Sequence, residues 1–427
     1  MLRIKSLIIF FLALSLSLGA QYDQNDHSNE DSHSNEQSHG SEEEHHYGPG
    51  ECMPVNAHHK FDVGETAMHH ISDANVYSIG PWQIPLPVIL YSPEQGWDLF
   101  MSSKFKPGWT GHGNGKIGYN NYVLHGGTVK RVHEGNLGSG EIEIEGFGYN
   151  LVEKDGKEKR VDYVCANGKQ YNIDYKSTAD GGIFGGGITS FYDFSITKNV
   201  VTMLLVFLIL GWIFFNVAKA YKKRDGKAPT GMQNFFEPLI TFIRDEVAKP
   251  FLGHKWERYF PFLLSIFFFI LGLNLIGQIP FLGNANVTGN LAVTAVLAII
   301  TFIVTNVSGN AHYWKHLLIA PGVPAFVKPI LIPVEILGLF IKPLTLMLRL
   351  FANITAGHLV IVVFVGLIFM FGKSGESLPG TFGAAIGSTL LTLFMMSIEL
   401  IVAFVQAFVF TILTASYIGA ATEEEHH

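Results

Sequence analysis

The 427 residues contain only two cysteines, Cys52 and Cys165. Both lie in the polar first half of the chain. If that half is exported a disulfide between them can form; the alternative reading is two unrelated thiols, since spacing alone says nothing about geometry. No glycine loop of the GxxxxGK[ST] type is present, so the chain is not expected to hydrolyse a nucleotide itself. No basic run with interleaved aromatics points to nucleic acid. No cofactor motif is visible, and no internal repeat suggests an inverted-repeat transporter. Charge is the most unevenly distributed commodity. The net charge of -7 comes largely from acidic residues before Val200. Beyond Val200 the chain runs in long apolar stretches with few charges, the pattern of a polytopic membrane protein.

Arg3 and Lys5 precede an apolar run from Leu7 to Leu18, and Gly19-Ala20 follow. This is the layout of a signal peptide over residues 1–20, too short to span a bilayer comfortably. Residues 21–74 are rich in Ser, Asn, acids and histidines, among them His27, His33, His39, His45, His46, His58, His59, His69 and His70. Such a composition cannot bury enough apolar surface to fold alone. It reads as a solvated tail, or as a metal-binding tract without fixed ligand spacing. Residues 75–198 suggest an exported extramembrane region with some β content. Tyr122-Val123-Leu124 and the alternating Glu141-Ile142-Glu143-Ile144-Glu145 are its clearest strands.

The membrane domain is expected over residues 199–420, with a cytoplasmic tail at 421–427. Val200–Ala218 is a first span, ending in Lys219, Lys222, Lys223, Arg224 and Lys227. The positive-inside rule puts that end in the cytoplasm and the N-terminal region outside. Met232–Lys249 is amphipathic, with Phe236, Leu239, Ile240, Ile243 and Val247 at helical spacing, and should lie on the cytoplasmic membrane surface rather than form a soluble core helix. Tyr259–Phe281 and Val287–Val307 are further spans. Pro321, Pro324, Pro329 and Pro333 punctuate the approach to two stretches of about 40 residues, Val334–Phe371 and Gly380–Ile418. A helix of that length is nearly twice the roughly 30 Å hydrocarbon thickness. The expected fold is an all-α polytopic membrane protein with five crossings. Two of them are long tilted helices in an antiparallel hairpin that turns at Gly372–Pro379, the first bent at Pro343. The C-terminus then lies inside.

Ionisable groups inside a membrane mark function. Glu335, Lys342 and Arg349 are seven apart, so they share one helix face, and Asn353 joins it four residues on. Thr392, Glu399 and Gln406 repeat the same spacing on the second long helix. Counting outward from the turn, Arg349 falls level with Gln406 and His358 with Glu399. His358 lies half a turn round from Arg349, so it can face a different neighbour. Asn274 and Gln278 either line an outer water path or join helices by hydrogen bonds.

The run Arg349-Leu350-Phe351-Ala352-Asn353-Ile354-Thr355-Ala356-Gly357-His358 resembles the arginine signature of subunit a of the F-type ATP synthases. Pro333-Val334-Glu335, Lys342-Pro343, Glu399 with Gln406, and the segment from Pro229 to Asn234 have the spacing of that family. The resemblance covers about Asn199 to Ile418 and leaves the first 190 or so residues unexplained. It implies a stator subunit forming two proton half-channels against a rotating c-ring, and so coupling proton flow to ATP synthesis. The implied partners are the c-ring, peripheral-stalk subunit b, the catalytic head through the stalks, and the lipid bilayer. The implied location is the bacterial inner membrane. Arg349 would be the electrostatic gate, with Asn353 and Gln406 beside it. His358 and Glu399 would relay protons on the uptake side, and Glu335 on the exit side. Some family members carry the acid and the histidine exchanged between positions 358 and 399. A secondary ion transporter or channel is the competing reading; a histidine-rich metal-binding protein on a membrane scaffold is a third.

Overall fold

The computed structural model describes residues 50–54, 72–79, 82–107, 114–132, 137–138, 140–154, 157–173, 191–224, 226–279, 285–319, 324, 326–371 and 378–423. The signal-like segment, most of the histidine-rich segment, the turn at 372–377 and residues 424–427 lie outside them. Two compact units are distinguished. One ends at Val201 and also takes in Leu359–Leu393; the other comprises Thr202–Ile279, Asn286–His358 and the chain from Phe394.

The first unit contains the β region. Its strands are β1 (Met53–Pro54), β2 (Val76–Ile79), β3 (Trp82–Pro85), β4 (Pro87–Ser92), β5 (Gly96–Met101), β6 (Ile117–Tyr119), β7 (Tyr122–His125), β8 (Thr128–Arg131), β9 (Glu141–Glu143), β10 (Gly146–Lys154), β11 (Lys157–Ala166), β12 (Lys169–Asn172) and β13 (Tyr192–Asp193). They pair in four antiparallel sheets, ordered β1-β10-β11-β12, β13-β4-β5, β2-β3 and β8-β7-β6-β9. Strand β7 explains why Tyr122-Val123-Leu124 is continuously apolar. Successive strand residues point to opposite faces. Tyr122 and Leu124 enter one core, with Val88, Leu90, Phe105 and Phe191. Val123 enters the other, with Val132, Phe147, Val164 and Ile173.

Cys52 and Cys165 are joined in a disulfide, with Cα atoms 6.3 Å apart. Of the two readings open in the sequence, this is the bonded one. The bond closes a sequence separation of 113 residues. Chain-entropy bookkeeping for a loop of that size gives about 4–5 kcal/mol. A Cys52→Ser/Cys165→Ser chain should therefore be cleaved within 72–173 at far lower protease levels than the wild type. Cleavage in the membrane segments should be unchanged.

A buried carboxylate ties this region to the first long helix, α1 (Lys198–Lys223). Asp73 accepts hydrogen bonds from Thr197 Oγ1 at 2.8 Å and from the Asn199 amide at 3.1 Å. Lys198 Nζ donates to the Ser72 carbonyl, and its amide donates to the Ala74 carbonyl. Burial pushes the Asp73 carboxyl up, while the Lys198 charge and those hydrogen bonds pull it down.

The remaining helices are α2 (Met232–Phe242), a π-helical turn (Ile243–Ala248), α3 (Lys249–Leu252), α4 (Trp256–Gly277), α5 (Leu291–Ser308), α6 (Ala311–Ile319), α7 (Lys328–Phe371) and α8 (Leu378–Thr422). Five stretches are long and apolar enough to cross a membrane: Lys198–Lys223, Met232–Gly277, Leu291–Ser308, Lys328–Ile368 and Gly383–Thr422. The amphipathic segment and the second span are thus nearly one helical run, jointed at Gly253, whose positive φ of 51° suits glycine. Helix α6 was not expected.

Helix α7 starts earlier than the proline pattern suggests. Pro329 occupies its first turn, where an amide has no helical partner, so the missing N–H costs little. Pro333 and Pro343 lie inside the helix. At 44 residues α7 is about 66 Å long, twice the hydrocarbon thickness, so it cannot stand upright in a bilayer.

Candidate functional site

Helices α7 and α8 run antiparallel in the second unit. His358 meets Glu399, and Lys342 Nζ lies 5.5 Å from the centre of the Tyr417 ring. Moving back along α7 therefore moves forward along α8.

The rotation of α7 decides what each polar residue can do. Leu346, Leu350 and Ile354 are buried, four residues apart, and His358 continues that stripe. A residue every four positions tracks one face of a helix. Glu335, Lys342, Arg349 and Asn353 are exposed on the other side. Arg349 and His358 are nine residues apart, half a turn round the helix. The four residues that share a face by spacing therefore share an open face. On α8 the polar stripe turns the other way: Glu399 and Gln406 are buried among Ala403, Ala407 and Phe410. No hydrogen bond or ion pair joins Arg349 to Gln406 among the described residues. Tyr417 of α8 lies within Coulombic range of Arg349.

The inward pair is close. His358 Nε2 lies 3.6 Å from Glu399 Oε1. That is too long for a hydrogen bond but within ion-pair reach once the ring is protonated. Both residues are buried, and Glu399 Oε1 accepts no hydrogen bond. An acid and an imidazole so placed can pass a proton between them with little movement.

Glycine at 357 makes the approach possible. A Cβ there would stand 2.9 Å from Glu399 Oε1. Under the relay role that the resemblance implies, Gly357→Ala should push the carboxylate aside and lower proton flux about ten- to hundredfold, the range for a reacting group displaced by about 1 Å. Shortening the acid in the double variant Gly357→Ala/Glu399→Asp should recover part of the loss. Flux into acidifying vesicles reads both. The spacing of ionisable groups gives no hint of Gly357; only its place beside His358 marks it.

Asn274 and Gln278 are brought to the same helix. Gln278 Nε2 donates to the Glu399 carbonyl at 2.8 Å, and Asn274 Nδ2 to the Ala403 carbonyl at 3.2 Å. Asn274 Oδ1 accepts from Thr288 Oγ1 at 2.7 Å. These amides bridge α4 to consecutive turns of α8, and thereby hold the segment that carries Glu399. Thr288 is a partner that sequence reasoning missed.

Toward the other end of the pair, Lys342 borders a recess lined by Thr301, Thr305, Asn306, Tyr313 and Tyr417. The Thr301 and Thr305 hydroxyls have no protein hydrogen-bond partner. Glu335 lies within Coulombic range of Tyr313, whose hydroxyl is pushed up chiefly by burial and then by that charge.

Residues 200–419 match the family ATP synthase A chain. The chain belongs to that family. This A chain is 46% identical over 242 residues to ATP synthase subunit a of Chloroherpeton thalassium, covering 55% of the chain and 69% of the relative. It is 42% identical over 242 residues to ATP synthase subunit a 2 of Prosthecochloris aestuarii, 55% and 71% of each. With subunit a of Myxococcus xanthus it shares 42% over 244 residues, 55% and 75%. Outside the A chain match, residues 66–180 match a Domain of unknown function (DUF8433).

Proposed function

We propose that this A chain is the membrane stator subunit of an F-type ATP synthase, with Arg349 as its electrostatic gate. The observation that carries the reading is the sidedness of α7. A permanently charged guanidinium stands on an open face, while the acid–imidazole pair is closed within the bundle half a turn away. An exposed arginine deep in an apolar helix needs an anionic partner, because a lone charge in lipid is costly. A ring of small subunits, each with one membrane carboxyl, meets that need.

Protons reach a ring carboxylate through His358 and Glu399. The neutral carboxyl then travels through lipid. On return it meets the field of Arg349, which favours its ionised form and drives the proton into the exit side by Glu335. Arginine does not lose its own proton, so it blocks direct passage between the two paths. Asn353 and Gln406 are polar neighbours along this route, and Asn274 and Gln278 border the uptake side. Subunit b and, through the stalks, the catalytic head complete the set of partners. The location is the bacterial inner membrane. A signal peptide at 1–20 and the cluster from Lys219 to Lys227 support a periplasmic N-terminal region (21–198) and a cytoplasmic C-terminus.

Reconstitution separates this reading from a self-contained transporter. Vesicles containing the chain alone should carry no coupled proton flux, whereas the assembled complex should acidify them when given ATP. Sustained, saturable ion transport by the isolated chain would overturn the stator reading.

A further inference from the structure

The β13-β4-β5 sheet has two apolar faces. One is sealed: Val88 and Leu90 are fully buried, and Phe100 packs on the same core. The other is open. Antiparallel partners share a face, and the register sets Tyr192 beside Tyr91, Tyr91 beside Trp97, and Ile89 beside Leu99. Trp97 is 66% exposed and Leu99 75%, with Met101, Tyr192 and Phe194 exposed beside them. The rings are already gathered, Trp97 lying 5.1 Å from Tyr91 and 5.7 Å from Phe194 between centroids. An antiparallel sheet in contact with water normally alternates apolar and polar residues. This one presents Trp, Tyr, Phe, Leu and Met without a charge among them. A contiguous apolar patch of this kind marks a surface with a partner.

The occupant follows from where the sheet is attached. Phe194 is four residues before Lys198, so an extended chain would separate them by no more than about 14 Å. The connection is held throughout. Phe194 and Ile196 donate their amides to the carbonyls of Ile89 and Pro87, and Thr197, Lys198 and Asn199 are tied to Ser72, Asp73 and Ala74. The sheet is thus tied by hydrogen bonds to the first turn of a membrane-crossing helix, within reach of the bilayer surface. Trp and Tyr are the residues that settle at the boundary between headgroups and hydrocarbon.

We propose that the open face of this sheet beds in the interfacial layer of the lipid bilayer at the N-terminal end of α1. The β region then rests on the membrane as a monotopic platform rather than standing free above it.

The test uses the full chain in its assembled complex, reconstituted in liposomes. Nitroxide labels are placed at Leu99→Cys and Phe194→Cys, with Lys169→Cys as the water-facing control; the native cysteines are bonded to each other. Labels at 99 and 194 should be open to oxygen and several-fold less open to a water-soluble nickel chelate than the label at 169. A chelate accessibility equal to that at 169 would overturn the proposal. So would exclusion of both reagents, which would mean that protein, either a partner or an undescribed segment of this chain, covers the face. Trp97→Phe provides a reading without added cysteine. Brominated lipids should quench wild-type emission more than that of the variant, and equal quenching would also count against lipid.

Discussion

Arg349→Ala should abolish ATP-driven acidification of inverted vesicles, with a loss of about 100-fold or more, the scale on which removal of a preorganised charge acts on its reacting group. Arg349 is exposed, so truncation removes little packing from the bundle. The stripe that holds α7 in place is Leu346, Leu350 and Ile354, which the substitution leaves intact. Assembly should be normal. The loss should also bring a passive proton leak, since nothing would then keep the two paths apart. Arg349→Lys separates charge from shape. It retains a positive charge but not the planar fork of donors, and lysine can lose its proton in an apolar setting. It should fail to pump as well. Coupled pumping retained in either variant would remove Arg349 from the gate and revive the transporter reading.

Glu399→Gln should lower flux about 100-fold, the ordinary size of a positioned acid or base. Glutamine fills the same space and still hydrogen-bonds, but carries no proton to pass on. His358→Gln should be similarly impaired. The more telling variant exchanges the two, His358→Glu with Glu399→His. The side chains are 3.6 Å apart in a closed setting, so the exchange keeps one acid and one imidazole in contact. Each single exchange leaves two acids or two imidazoles facing each other, which penalises charge on either. The double exchange should therefore pump better than either single exchange, a coupling that independent sites would not show. If the three variants were simply additive, the pair would not act as a unit.

The exposed face of α7 has a further bearing on assembly. Leu337, Ile341, Leu344 and Leu348 are exposed along the same helix as Arg349. Leu346, Leu350 and Ile354 form a second apolar row, buried in the bundle. The two rows are chemically alike, yet one meets the protein interior and the other whatever lies outside it.

That likeness limits what could be read without coordinates. The apolar runs, the positive cluster after Ala218, and the run from Arg349 to His358 were enough to place the chain in a membrane and in its family. They act locally: hydropathy, charge and residue spacing need no knowledge of neighbours. Spacing also established that Glu335, Lys342, Arg349 and Asn353 share one side, and that His358 lies opposite Arg349. It could not say which side faces outward. A helix presents its residues at fixed angles to one another, but its rotation about its axis is set by packing, and two equivalent rows of leucine and isoleucine leave that choice open. Only the fold placed His358 against Glu399, turned Arg349 outward, and gave Gly357 its reason. The same holds for Cys52 and Cys165, whose pairing depends on strands distant in sequence, and for the open aromatic face of β5, where alternation alone cannot tell which neighbour will cover a row.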